Sequence, residues 1–382
     1  MDITNSLNKL KQYIEQENFE GYDPYDALNS PLLKALSFER KHLRIAFIQI
    51  LKRIPSNLRP ILRIKKDVNP KGLGLFLWGY SKLYQIEKNP EYLEKIKYLL
   101  DLLDHLKCKG YSGNCWGYNF DWQSRAFFIP KYTPTIVNSS FIGHALLDAY
   151  EHTGIKGALE LAIPIKDFIL RDLNRHEENG AICFSYSPLD YYFVHNANLL
   201  GASFLMRVFG HTGEKELKNT ALDGLAYSMM HQREDGSWFY AEKEGAHWID
   251  SFHTGFNLQA IKYLLDLGCG EEYRFQFNKG VKFYEQHFFL EDGTPKYFHD
   301  RVYPIDIHCP AQAVVFFSQM GPDYRALTEK VLIWLIENMQ DQDGYFYFQK
   351  TKFYTNKIPY IRWSQSWAFH ALTEYYSSPF LD

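Results

Sequence analysis

The chain has 382 residues, is 46% hydrophobic and carries a net charge of −3, so it has ample apolar content for a large core and no global attraction to nucleic acid or an anionic membrane. Its five cysteines are scattered without a CxxC pair, which excludes a disulfide scaffold and favours free thiols in a reducing compartment. The first residues lack an apolar leader core and no run of 18 apolar residues occurs, so a cytoplasmic protein without a membrane span is expected.

In chain order, residues 1–35 read as an N-terminal extension. After it, the sequence alternates two kinds of helical segment. The first kind is apolar on nearly all sides, as in "NPKGLGLFLWGY", "FIGHALLDAY" and "NLLGASFLMRVF", and predicts buried inner helices near 71–86, 136–151, 196–210, 251–266, 308–320 and 363–376. The second kind is amphipathic, as in 324–340, where Leu327, Val331, Trp334, Leu335 and Met339 share one face. It predicts outer helices near 36–53, 88–107, 155–173, 214–232, 272–289 and 324–340. Glycine-centred turns recur at Gly113, Gly180, Gly236, Gly293 and Gly344, mostly as Asp-Gly followed by aromatics. Each ends an outer helix and returns the chain toward the next inner one. An inner helix apolar all round needs neighbouring repeats to cover it. Six pairs without distinct polar caps therefore predict an all-α fold, a single (α/α)6 toroid spanning 1–382, rather than an open helical array.

The links from outer to inner helices run to about twenty residues, whereas the reverse links are short. Long loops on a rigid scaffold are where sites are built, so the end where the inner helices begin is expected to hold the mouth of a central cavity. His195, His253 and His308 recur at those helix starts, a position where capping alone would not call for histidine. With Asp250, Asp306, Arg362 and Tyr191 they form the candidate catalytic set. The candidate ligand-binding set is Trp116, Tyr118, Asp121, Trp122, Arg125, Asn138, Asn196, Trp238, Trp248, Arg301 and Gln365. Asn138 and Asp250 also suit helix caps, and His144 and His370, deeper in inner helices, suit the core. Aromatic platforms beside Asp, His, Arg and Asn point to a carbohydrate ligand. Three chemistries could use the inventory: hydrolysis between two carboxylates such as Asp250 and Asp306; epimerisation or elimination by a His or Tyr base beside a cation; or a metal site at Asp306, His308 and Cys309. Glycan or partner binding without turnover is the non-enzyme alternative. Asp306, His308 and Cys309 fall within four residues, but ligands adjacent in sequence rarely converge on one metal, and no metal is expected. No phosphate-binding glycine loop, G-x-S-x-G or HExxH is present, and no cofactor or nucleic-acid partner is expected.

The alternation of helices and the aromatic, Asp- and His-lined mouth resemble carbohydrate-active (α/α)6 proteins: the N-acylglucosamine 2-epimerase-like group, the unsaturated glucuronyl hydrolases and the helical domain of glucuronyl C5-epimerases. Over nearly its whole length, including "CWGYNFDWQSR" and "RWSQSWAFHAL", the chain resembles the VpsJ-like proteins of bacterial exopolysaccharide gene clusters. That resemblance implies a role in polysaccharide biosynthesis or modification and no defined reaction; the expected ligand is a uronate-containing or other acidic glycan at the barrel mouth. Residues 232–238, "QREDGSW", also match the Q-x-x-D-G-x-W element of terpene cyclases, which implies a structural clamp between outer helices. Neither D-x-D-D nor D-D-x-x-D accompanies it, so an isoprenoid-cyclase activity is the weaker alternative.

Overall fold

The inner helices are built from residues that leave no solvent face. In the computed structural model, which describes residues 2–124 and 127–380, they are α4 (Pro70–Glu87), α6 (Ile136–Thr153), α9 (His195–Thr212), α11 (Ser251–Asp266), α13 (His308–Gln319) and α15 (Ser366–Tyr376). Each packs on the next, and α15 returns to α4, so the ring is closed. Glycines allow the close approach. A Cβ at Gly74 would lie 2.8 Å from Ile142 on α6, and one at Gly79 would lie 2.5 Å from Phe369 on α15. Helix starts are fixed by side-chain caps: Asn69 and Pro70 begin α4, Thr135 caps α6 and Asp250 caps α11.

Five outer helices lie near their expected positions: α5 (Pro90–His105), α7 and α8 (Lys156–Ala162 and Ile165–Arg171), α10 (Lys215–Met230), α12 (Arg274–Phe288) and α14 (Arg325–Met339). The single helix expected over 155–173 is split at Pro164, which has no N–H to continue the hydrogen-bond ladder. The sixth position departs from expectation. It is taken by α1 (Ile3–Gln16), inside the supposed extension, which packs on α15 with Leu7, Leu10 and Ile14 inward. The segment expected as the first outer helix forms α3 (Lys41–Arg53). Together with α2 (Pro31–Leu36) and the turn Asp26–Asn29 it builds a lobe around a small core of its own, Ala27, Leu28, Ile48, Leu51 and Ile64.

The recurring Asp-Gly turn is a clamp. Gln232 Nε2 donates to the Gly236 carbonyl within its own turn and to the Gln276 carbonyl on the next outer helix, both at 2.9 Å. Trp238 packs beneath Gly280 of that helix. Gln340 repeats the device, donating to Gly344 and to Ser6 at 3.0 Å, while Ser6 Oγ donates back to Gln340 Oε1 at 2.6 Å. The last repeat is thus fastened to the first helix of the chain. At Gly236 and Gly344 (φ +92° and +96°) a Cβ would lie 2.5 and 2.6 Å from carbonyls of Lys279 and Lys9. Glycine is required there both for its left-handed backbone and for the close approach. The turn at Gly180 differs, closing a hairpin of Arg175–Glu178 with Ala181–Phe184.

Candidate functional site

The first turn of every inner helix opens toward one end of the barrel, and the long loops rise around it. Between them lies a cavity of 780 Å³. The helices supply Lys71, Val137, Asn196, Phe252, His253, Phe256 and His308, and a π-helical turn, Ile361–Gln365, adds Arg362 and Trp363. The loops supply Tyr118, Trp122, Phe127, Tyr186, Tyr192, Tyr240, Trp248, Tyr297 and Arg301, and the lobe contributes Tyr25, Gln49 and Arg53. Rings pack on rings: Trp248 stacks on Tyr240 at 4.5 Å, and Trp122 meets Phe127 edge-on at 5.4 Å. The expected mouth is therefore where the cavity lies.

His253 is the best-oriented reactive group. It is the third residue of α11, and Asp250, which caps that helix, accepts from its backbone N–H at 3.0 Å and contacts its Nδ1 at 2.7 Å. Trp248 Nε1 donates to the same carboxylate at 3.0 Å. A buried carboxylate accepting at Nδ1 places the proton there and leaves the Nε2 lone pair free. Nε2 has no partner among the described residues, and the side chain lines the cavity. His308 also packs on Phe252, whose ring centroid is 4.3 Å from the His253 ring and 5.2 Å from that of His308. Burial pushes the His308 imidazole down to about 3, against the pull of Asp306, and Lys71 and Arg362 push the same way. It is a neutral imidazole at ordinary pH, and its Nδ1 has no hydrogen-bond partner.

Two cations stand beside these histidines. Arg362 is held by Asp23 of the lobe at 2.5 and 2.8 Å, so its charge is already answered. Lys71 is buried among Phe141, Phe256 and Trp367, with its ammonium 4.2 Å from the Phe141 ring centre. No acceptor reaches its Nζ among the described residues. Burial holds its pKa well below the usual lysine value, and the nearby Arg362 charge adds to this. Among the described residues no carboxylate lines the cavity.

Several expected site residues lie elsewhere. His195, the first residue of α9, turns away from the cavity and pairs through Nε2 with Glu242 at 2.9 Å. Tyr191 points to solvent, and its neighbour Tyr192 lines the cavity instead. Asp306 is fully buried, accepting from Trp363 Nε1 at 2.7 Å, the His308 backbone at 3.1 Å and Gln349 at 3.4 Å. Asp250 and Asp306 therefore do not face one another across the cavity as a hydrolytic pair. Trp116 and Trp238 are core residues whose indoles donate to backbone carbonyls of Leu103 and Ser228. Asp121 is tied to Lys34 and to the Lys131 amide. Gln365 holds Phe346 by two backbone hydrogen bonds. Asn138 is buried with both amide atoms unpartnered, outside the cavity wall. Arg125 lies outside the described residues. Tyr118, Trp122, Asn196, Trp248, Arg301 and Arg362 are where they were expected. His144 and His370 are core residues stacked on Trp78. Asp306 Oδ1 and His308 Nδ1 are 3.7 Å apart, and among the described residues no three His, Cys, Asp or Glu side chains gather to hold a metal.

Sequence reasoning missed Lys71, Tyr25 and the aromatic floor of Phe252, Phe256 and Trp363. Lys71 did leave a signal, as a lone lysine in the first turn of an otherwise apolar helix. Tyr25 left none, because the lobe was read as extension and outer helix.

No family model matches the chain, and no curated protein matches it in sequence. Solved structures do match. A cellobiose 2-epimerase from Bacillus thermoamylovorans is 13% identical, with 81% of this chain and 87% of that one covered at a TM-score of 0.63. A GH76 alpha-mannanase from Bacteroides thetaiotaomicron is 15% identical, covering 82% and 87% at 0.62. The Lin0763 protein from Listeria innocua, also 15% identical, covers 98% and 97% at 0.64. At such identities the likeness establishes the fold, the six-hairpin toroid, and it is shared by proteins of differing chemistry.

Proposed function

We propose that this protein is a carbohydrate-active enzyme that abstracts a proton from a sugar carbon next to a carbonyl or carboxylate group, giving epimerisation, isomerisation or elimination rather than glycosidic hydrolysis. The observation that carries this reading is the make-up of the cavity wall: two imidazoles, one oriented by a buried carboxylate, with cations and aromatic rings and, among the described residues, no lining carboxylate. Hydrolysis by the usual pair would need two carboxylates flanking the bond. The described neighbours include sugar epimerases and a D-mannose isomerase as well as mannanases, which is compatible with this choice but does not dictate it.

In the proposed step, His253 Nε2 takes the proton from carbon. The C–H electron pair moves into the adjacent carbonyl, and an enolate oxygen forms. Asp250 stabilises the imidazolium through Nδ1–H. Lys71, charged once an anion lies beside it, lowers the energy of the developing oxyanion, while Arg362 is already paired with Asp23. The His253 imidazolium then returns that proton to the neighbouring carbon in isomerisation, to the other face of the reoriented enolate in epimerisation, or to the departing oxygen in elimination, which restores the neutral base; neutral His308, in the same cavity wall, is placed to hydrogen-bond the substrate. Trp248, Tyr240 and Trp122 present faces on which sugar rings stack. The VpsJ-like resemblance suggests an exopolysaccharide context, and the uncompensated Lys71 suits an acidic sugar.

The test is proton exchange in D2O with uronate-containing and neutral reducing saccharides, read by NMR. Deuterium at one carbon is expected, with His253→Ala lowering kcat about 100- to 10,000-fold and Asp250→Asn less, both with unchanged circular dichroism. New reducing ends without deuterium incorporation would overturn the proposal in favour of hydrolysis.

A further inference from the structure

The lobe that covers one side of the mouth is strongly basic. Residues 31–66, the part of the lobe that follows Asp23 and Asp26, carry ten lysines and arginines against one acid, Glu39, a net charge of +9 in a chain whose total is −3. Some of these cations are used internally: Arg59 pairs with Asp26, Lys34 with Asp121 and Lys66 with Glu17. Arg40, Lys41, Arg63 and Lys65 are exposed, with no carboxylate partner among the described residues.

Large apolar side chains stand out among them. Phe38 is 70% exposed and Ile61 79%, with Leu32, Leu36 and Ile50 about half exposed. Leu32 and Leu36, four apart on α2, share one face, and the lobe's own core is formed by other residues. Phe38 and Glu39, and then Arg63, adopt left-handed backbone (φ +46°, +56° and +56°) that non-glycine residues rarely take. Two strained turns thus hold Phe38 and Ile61 in water beside unpaired cations. A polyanion would need only the charges. Exposed aliphatic and aromatic side chains interleaved with lysine and arginine suit a surface with anionic headgroups over acyl chains.

We infer that the 31–66 lobe docks the protein peripherally on an anionic lipid bilayer, with Phe38 and Ile61 entering the headgroup boundary and Arg40, Lys41, Arg63 and Lys65 meeting the phosphates. No helix among the described residues is long and apolar enough to cross a membrane, so this contact lies on the surface. The placement bears on the site, because α3 sends Gln49 and Arg53 into the cavity wall while Ile50 faces out. A helix is about 10 Å across, so a docked bilayer lies about that far from the cavity rim. A saccharide held at the membrane surface would then be presented to the mouth.

The experiment is flotation of the full chain with vesicles of pure phosphatidylcholine or of phosphatidylcholine with about a third phosphatidylglycerol, which supplies the negative surface potential. Binding to the anionic vesicles alone is expected, weakening at least tenfold between about 0.1 and 0.5 M salt as the screening length falls. Lys41→Glu with Lys65→Glu should lower partitioning at least tenfold, because each basic residue at such a surface contributes about a fivefold factor. Phe38→Ser with Ile61→Ser should lower it several-fold. Both variants should keep the native melting temperature and full activity on soluble sugars. No partitioning, or equal partitioning to both vesicle types, would overturn the inference. So would vesicle binding unaffected by Phe38→Ser with Ile61→Ser, or a preference for soluble polygalacturonate that displaces the lipid, which would mark a polyanion site. None of these outcomes depends on the reaction proposed for the cavity.

Discussion

Two lysines on one helix show how the ends of the barrel differ. Lys71 and Lys82 both lie on α4, about 16 Å apart along its axis at 1.5 Å per residue. At the closed end Lys82 lies 3.5 Å from Glu374 and 3.9 Å from Asp148. Asp148 also binds Arg207 at 2.7 Å and accepts from Trp78 Nε1 at 2.6 Å. Those carboxylates raise the Lys82 pKa in spite of its burial, and the two cations hold Asp148 well below its usual value. Residues from α4, α6, α9 and α15 meet there, so the network ties the ring together. At the mouth Lys71 is more deeply buried than Lys82, faces aromatic rings, and is pushed down. The same residue type serves as cross-brace where its charge is answered and as an open binding group where it is not. Buried charge is costly unless paired, so an unpaired buried lysine marks the place where a ligand completes the structure.

The comparison breaks most visibly at the closed end. Asp148→Ala should cost about 1.5–3 kcal/mol, because it removes the carboxylate shared by Lys82, Arg207 and Trp78 while Glu374 and Glu151 still answer the two cations, read as a fall in the urea midpoint; a change below about 0.5 kcal/mol would mean the network does not brace the ring. At the mouth the sign reverses. Lys71→Met should leave stability unchanged or raise it by about 1–3 kcal/mol, since it removes a buried polar group that lacks a partner. It should also weaken binding of an acidic saccharide at least tenfold. Calorimetry in buffers of different ionisation enthalpy should show the native protein taking up more protons on binding than the variant does.

A smaller effect sharpens the contrast through pH. His144, His308 and His370 are pushed down to about 3, 3 and 4 by burial. The unfolded chain binds protons at these positions below about pH 6.5 while the folded protein does not, so stability is full above that pH and falls as pH drops toward 4. Each contributes up to about 1.4 kcal/mol per pH unit. His370→Gln should flatten the stability curve between about pH 6 and 4 by one such increment. An unchanged slope would show that His370 is protonated in the folded state.

Much of the architecture was legible because it is written in local pattern. Six apolar segments alternating with amphipathic ones, three of the latter ended by an Asp-Gly stop, require mutual burial, and the polar first turns placed the mouth. The reading of "QREDGSW" as a clamp agrees with the bonds Gln232 makes. Individual site residues were less legible. Tyr191 and Tyr192 are adjacent, and in extended chain successive side chains face opposite ways, so composition could not choose between them. His195 is the first residue of α9 and His253 the third of α11. Two positions rotate a side chain by about 200° around a helix of 3.6 residues per turn, which sends one outward to Glu242 and the other into the cavity.

By itself, then, the sequence determined the inner helices, the turns that clamp the outer ones and the end at which the cavity opens, because periodicity and glycine placement act over a few residues. The tertiary structure alone decided which amphipathic helix closes the ring. Segments 3–16 and 41–53 both present an apolar stripe, and the choice rests on Gln340 meeting Ser6 across 334 residues of chain. It also decided which carboxylates face inward and which lysine is left unpaired, because burial and partnership belong to packed neighbours and not to any one segment.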